Sequence, residues 1–136
     1  NYFKVKDNEK FEEFMTHVYA EDLEVFHKTD KNGNELYGFG GYGGISGYFN
    51  DENEYENDDE AWDNAYDNFI DGLTKQVADD DAILLFEAGN EKLRYIVGSV
   101  VVITSNGCKY EEIRNVGIEV AKQMLNNPDY DTQCSY

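Results

Sequence analysis

Apolar residues in the first part of the chain recur at two spacings, one helical and one alternating. Phe11, Phe14, Met15, Val18 and Tyr19 follow an i, i+3, i+4, i+7 pattern, which predicts an amphipathic helix over about residues 8–20 with one buried stripe. Asp7 or Asn8 is placed to cap it, since a side-chain oxygen there accepts from the orphan N–H groups of the first turn. Ahead of it, Tyr2, Phe3 and Val5 predict a short strand over Tyr2–Lys6. Leu23, Val25 and Phe26 predict a second strand, and Leu36, Tyr37 and Phe39 a third. The Asn32-Gly33 step between them supplies the positive φ angles of a tight turn, so the two strands are expected to form a β-hairpin.

Six glycines crowd residues 38–47 (Gly38, Gly40, Gly41, Gly43, Gly44 and Gly47), a density that suits a loop or an irregular edge better than a regular element. Helical spacing returns with Trp62, Tyr66, Phe69, Ile70, Leu73 and Val77, which predict a helix over about residues 58–78 docked on the core. Ala82–Phe86 reads as a strand, Ala88–Lys92 as a turn and Leu93–Thr104 as a long strand. The run from Ile96 to Ile103 is apolar on both pleat faces, as in the middle of a sheet. Ser105-Asn106-Gly107 breaks it, and Ile113, Val116, Val120 and Met124 mark a last helix that ends near Pro128. The predicted order is βαββαββα, an α+β class of domain: a two-layer sandwich with helices on a mostly antiparallel sheet, residues 1–136 forming a single domain.

Charge changes this picture more than composition does. The chain has 29 acids against 11 Lys and Arg, a net charge of −18, yet it is 40% hydrophobic and 15% aromatic. That apolar content separates it from acidic disordered tails, and its length suffices for a core. A surface so negative repels the phosphates that dominate nucleic-acid affinity, so direct binding to DNA or RNA, and to anionic lipid, is not expected. The longest apolar run, Ile96–Ile103, falls well short of the ~20 residues of a membrane helix, and no basic-then-apolar start suggests a secretory signal. Two cysteines, Cys108 and Cys134, make neither a disulfide framework nor a zinc cluster; one disulfide is an alternative to the expected reduced, cytoplasmic chain.

The charge is also unevenly placed. Residues 51–81 contain 13 acids and one base, Lys75, so that this block holds two thirds of the excess. On the predicted helix, Glu60, Asp63, Asp67 and Asp71 fall on one flank beside the apolar stripe, rising ~6 Å for every four residues. Duplex DNA presents a phosphate every ~3.4 Å along each strand, so the helix is a sparser ladder, and the acids from Asp51 to Asp59 would supply the remainder. Like charges at this spacing cost a few tenths of a kcal/mol per pair. A basic partner would offset that cost; the bland alternative is a solvated face for solubility or salt adaptation. The candidate partner-binding residues are therefore Asp51, Glu52, Glu54, Tyr55, Glu56, Asp58, Asp59, Glu60, Asp63, Asp67 and Asp71, with Tyr42. Tyr42, Tyr48, Phe49 and Tyr55 beside the block suit Arg-rich grooves, because rings accept guanidinium stacking while carboxylates pair with the charge. Tyr48 and Phe49 are also the two expected to pack beneath the glycine loop.

Other chemistry finds less support. Gly38-Phe39-Gly40-Gly41-Tyr42-Gly43 matches G-x-G-x-x-G in form, but an acidic stretch follows where a phosphate-binding helix should start. Asp30-x-Asn32-x-Asn34 resembles the start of a calcium loop, yet Glu35 and Gly41 stand where that loop needs Gly and Glu. Glu13 and His17 share a helix face with no third metal ligand nearby in sequence. No catalytic residue, no cofactor and no metal site is therefore assigned, and an enzyme is not expected.

In size, acidity, the Asp51–Asp81 block and its Asn/Tyr-rich, Pro-poor composition, the chain resembles the small inhibitors of phages and mobile elements, the anti-CRISPR and anti-restriction proteins that mimic DNA. The resemblance implies an inhibitor that sits in the basic, nucleic-acid-binding groove of a host defence nuclease and blocks DNA, within the bacterial cytoplasm. Two alternatives remain open: an immunity protein or antitoxin that neutralises a cationic toxin, and a small enzyme or calcium-binding module.

Overall fold

The structure, a computed structural model, describes residues 1–91 and 95–132; at residues 52, 53, 57, 90, 91 and 95–97 the description is of the backbone alone. The chain is α+β, with helices α1 (Asn8–Thr16), α2 (Glu52–Asn57), α3 (Asp59–Gln76) and α4 (Ile113–Leu125). Its strands are β1 (Val18–Ala20), β2 (Glu24–Thr29), β3 (Glu35–Gly40), β4 (Ile45–Tyr48), β5 (Ile83–Glu91), β6 (Tyr95–Thr104) and β7 (Gly107–Glu112). They form three sheets, β1-β4, β2-β3 and β5-β6-β7. Two compact units divide the chain, one of residues 1–83 and 103–108, the other of residues 84–102 and 109–136.

The first unit is built around aromatic rings. Asp7 caps α1 by accepting from Lys10 N, and the helix buries Phe11, Phe14 and Met15. α3 buries Ala65, Phe69, Ile70 and Leu73. Phe14 stacks on Tyr48 with centroids 4.9 Å apart and on Phe69 at 6.2 Å, while Phe11 meets Phe3 edge-on at 5.7 Å. Tyr37, also in this core, donates its hydroxyl to Glu12 Oε1 at 2.7 Å. Burial, aided by that hydrogen bond, pushes the phenol up to about 12.

Several expectations need correction here. The helix predicted over 8–20 stops at Thr16, because Val18–Ala20 leaves it to pair antiparallel with β4, Val18 opposite Tyr48 and Tyr19 opposite Gly47. Tyr2–Lys6 forms no strand but two isolated bridges, Phe3 with Tyr37 and Val5 with Val77. The glycine-rich stretch is partly regular, since β3 runs to Gly40 and β4 starts at Ile45. The hairpin itself stands: β2 and β3 pair in register around Gly33, whose φ is 84°, and the Asp30 carboxylate accepts from the Asn32 and Asn34 amides. Those contacts, with the Asn34 side chain foremost, hold the Asp30 carboxyl below its usual range.

In the second unit, the expected turn at Ala88 is strand as far as Glu91; Lys92 and Leu93 lie outside the described residues. A further strand, β7, runs from the end of the Ser105-Asn106-Gly107 break to α4, where the spacing predicts no element. Gly98 and Ser99 are buried on β6, and a Cβ on Gly98 would lie 2.2 Å from Ile113 Cδ1, so the glycine admits the first residue of α4. Even so, α4 has no buried residue: Ile113, Val116, Val120 and Met124, whose spacing marks the helix, are all exposed. Periodicity registers that a helix has an apolar face and is silent on what covers it. Sequence charge is segregated too, since this unit holds seven acids and five bases and the first holds the rest.

Candidate functional site

The acidic block folds into two successive helices, and its carboxylates divide into those that build them and those that face outward. Asp51 Oδ1 accepts from Glu54 N at 3.0 Å and so starts α2. Glu54 in turn accepts from the Asn50 backbone N–H at 2.8 Å and from its side-chain amide at 2.7 Å. Asp58 is the N-cap of α3, with one oxygen accepting from Glu60 N at 3.0 Å and Ala61 N at 3.1 Å. These three candidates are thus tied to folding. Of Glu52 only the backbone is described.

The cap gives a direct test. Asp58→Ala leaves two first-turn N–H groups unsatisfied and removes a negative charge from the helix N-terminus, which costs about 1–2 kcal/mol. The melting temperature should fall by roughly 3–8 °C, whereas Asp59→Asn, one residue on, loses charge but no cap hydrogen bond and should lower it by no more than about 2 °C. Equal melting of both variants would show that Asp58 does not start α3.

Glu56, Asp59, Glu60, Asp63, Asp67 and Asp71 are exposed. Four of them, Glu60, Asp63, Asp67 and Asp71, line one flank of α3, and none of the four has an ion-pair partner among the described residues. Six of the lysines and arginines pair with acids off this flank: Lys4 with Asp80, Lys6 with Asp79, Lys10 with Asp7, Lys109 with Glu111, Arg114 with Glu112 and Lys122 with Glu119. Asp79 and Asp80, near the end of the block, are held below the ordinary carboxylate range by the lysine hydrogen bonds.

Beside the N-terminal end of α3 stands a group of four rings. Tyr55 on α2 lies 4.3 Å from Tyr19 of β1 and 5.4 Å from Trp62 of α3, centroid to centroid. Phe49, 4% exposed, lies beneath them, 4.8 Å from Trp62 and 5.7 Å from Tyr55. The Tyr55 and Tyr19 hydroxyls are 2.6 Å apart, a contact that raises the Tyr55 phenol above its ordinary value. The indole Nε1 of Trp62 donates to the Tyr55 carbonyl at 2.9 Å, tying α2 to α3.

Tyr19 and Trp62 were not among the sequence candidates, and both are surface residues, 43% and 40% exposed. The spacing places each in a buried helical stripe. Tyr19 instead sits on a strand opposite Gly47, and directly opposed residues share a face, so no cross-strand side chain covers its ring. Tyr42 is fully exposed on the β3–β4 turn, where Gly41 and Gly43 close on Glu21 and Asp22. No ring contact joins it to Tyr55 among the described residues, so this candidate stands apart from the others. Tyr48 and Phe49 are packed against Phe14 and Trp62 respectively. Cys108 is exposed on β7 and Cys134 lies outside the described residues. No helix among the described residues is long and apolar enough to cross a membrane. No family model, no curated protein and no solved structure matches this chain.

Proposed function

We propose that the chain is an acidic inhibitor that sets the face formed by α2 and α3 into a basic, nucleic-acid-binding groove of a bacterial defence nuclease, RNA-guided or restriction type, and keeps DNA out. The observation that carries the reading is the flank of Glu60, Asp63, Asp67 and Asp71, four exposed carboxylates left without an ion-pair partner among the described residues while six of the chain's lysines and arginines pair with acids outside it. Carboxylates four residues apart rise ~6 Å along the axis, and Asp59 at the first position of α3 and Glu56 on α2 are two more exposed carboxylates. Such a row, though sparser than a phosphate ladder, offers charge to the lysines and arginines that hold a nucleic-acid backbone. The work is steric and electrostatic, in the bacterial cytoplasm, with no bond made or broken.

The test is capture of a panel of purified DNA-handling nucleases on the immobilised chain, with duplex DNA as competitor and salt as the second variable. Retention by one nuclease, lost on adding DNA or at 0.5 M salt, is the expected result, since contacts between exposed charges are screened beyond ~10 Å at 0.1 M. Retention that DNA does not disturb would move inhibition away from the groove. If no nuclease is retained, the proposal fails, and the face becomes that of an immunity protein turned toward a cationic toxin.

A further inference from the structure

The rings at the head of α3 add a chemical preference to the acidic face. Trp62 has spent its one hydrogen-bond donor on the Tyr55 carbonyl, so the part of the indole left exposed offers a partner only its π surface. The Tyr55 and Tyr19 hydroxyls are likewise turned to each other at 2.6 Å. With Phe49 as floor, three electron-rich rings crowd one spot, their centroids 4.3–5.7 Å apart. Negative charge stands at its edge: the exposed Asp59 lies one helical turn before Trp62 on α3, and the Glu56 charge acts on the Tyr55 phenol.

An aromatic surface edged by negative charge is poorly suited to a nucleobase carried on phosphate, and gains nothing special from an aliphatic side chain. It suits a cation that sheds water cheaply. Guanidinium is planar, weakly hydrated and stacks on rings, while ammonium is a compact, strongly hydrated point charge. We infer that the Tyr19–Tyr55–Trp62 surface docks arginine side chains of the basic partner and prefers them to lysine. The inference rests on the proposed acidic-face function, and it makes the aromatic patch rather than the carboxylate row the source of selectivity.

Trp62 is the chain's single tryptophan, so the site carries its own reporter. The full chain is titrated with nona-arginine and with nona-lysine, peptides of equal charge, at low salt, following both affinity and Trp62 emission. Nona-arginine should bind about fivefold tighter and alter the emission, nona-lysine should bind with little change in it, because one or two ring contacts supply that margin. Tyr19→Leu, with fold checked by circular dichroism, should abolish the preference while keeping salt-sensitive binding; Tyr19→Phe, which keeps the ring, should retain it. Equal affinities with unchanged emission would overturn the arginine preference and leave the acidic face intact. A preference that survives Tyr19→Leu would overturn it as well. Failure of both peptides to bind would remove the acidic-face reading along with it.

Discussion

Gly47→Ala is expected to lower the melting temperature of the chain by roughly 10–20 °C, the largest loss of any single methyl addition considered. Gly47 lies on β4 with a φ of 149°, and a Cβ built there would meet the carbonyl carbon of Ala65 at 2.2 Å, its oxygen at 2.4 Å and its Cβ at 2.5 Å. Those atoms belong mainly to the backbone of α3, which cannot swing aside as the end of a long side chain would. Ala65 is itself fully buried, between helix and strand. The strand must therefore lift off the helix, an overpacking cost of about 1–3 kcal/mol, to which a strained φ adds about 1–2 kcal/mol. Because Tyr19 pairs with Gly47, the same displacement disturbs the ring cluster. Gly44→Ala is the control: nothing lies within 4 Å of its Cβ position and its φ is not positive, so its melting should stay within about 2 °C of the parent. Melting curves followed by circular dichroism decide the matter, and an unchanged transition for Gly47→Ala would mean that β4 does not rest on the α3 backbone.

Gly47 also shows why part of the fold was hidden in the sequence. Long periodic segments announced themselves: α3 begins one residue after its Asp58 cap and ends within two residues of the predicted end, and the hairpin turn follows from Asn32-Gly33. The elements that depend on distant partners did not. Val18 and Tyr19 fit the helical stripe of Phe14 and Met15, and only their ladder with residues 45–48 draws them into a strand. Glycine reads locally as a loop former, yet Gly47 is required by the nearness of a helix that starts twelve residues later. Phe3 and Val5 have strand-like spacing but find single partners, Tyr37 on β3 and Val77 just past α3, so the ladder never grows beyond isolated bridges.

The candidate site was legible in charge and obscure in geometry. Composition located the acidic block, but it treats Asp58 and Asp63 alike, although one is folded into a helix cap and the other faces solvent. Capping rules could have separated them, since Asp58 stands three residues before Ala61, the first apolar position of the helix, where an N-cap acid belongs, whereas Asp63 lies inside the periodic segment. The rings were harder. Trp62 is in phase with Phe69 and Leu73, and what exposes it is its place near the helix start, where the neighbours are Tyr55 of α2 and Tyr19 of β1 instead of core. Helical phase gives direction; position along the axis decides burial.

Replacing Asp63, Asp67 and Asp71 together with Asn is expected to slow association with the nuclease retained in the capture experiment by about tenfold at low salt, while leaving the fold as stable or slightly more so. The two halves of this expectation follow from the same geometry. Asp63, Asp67 and Asp71 stand four residues apart on one flank of α3, so each adjacent pair repels, by a few tenths of a kcal/mol, and Asn relieves it. None of the three carries a cap or an ion pair among the described residues, so nothing that holds α3 in place is lost. Toward a basic groove the same charges act at a distance, raising the encounter rate, and their removal shows in association more than in dissociation. The difference between variant and parent should shrink as salt rises from about 0.05 to 0.5 M, as screening silences the parent's advantage. Stopped-flow mixing gives the rates and a thermal scan gives the fold. A triple variant that melts like the parent and still associates at the parent's rate would show that the α3 carboxylates do not guide the encounter. The contact would then have to be sought among Glu56, Asp59 and the rings beside them.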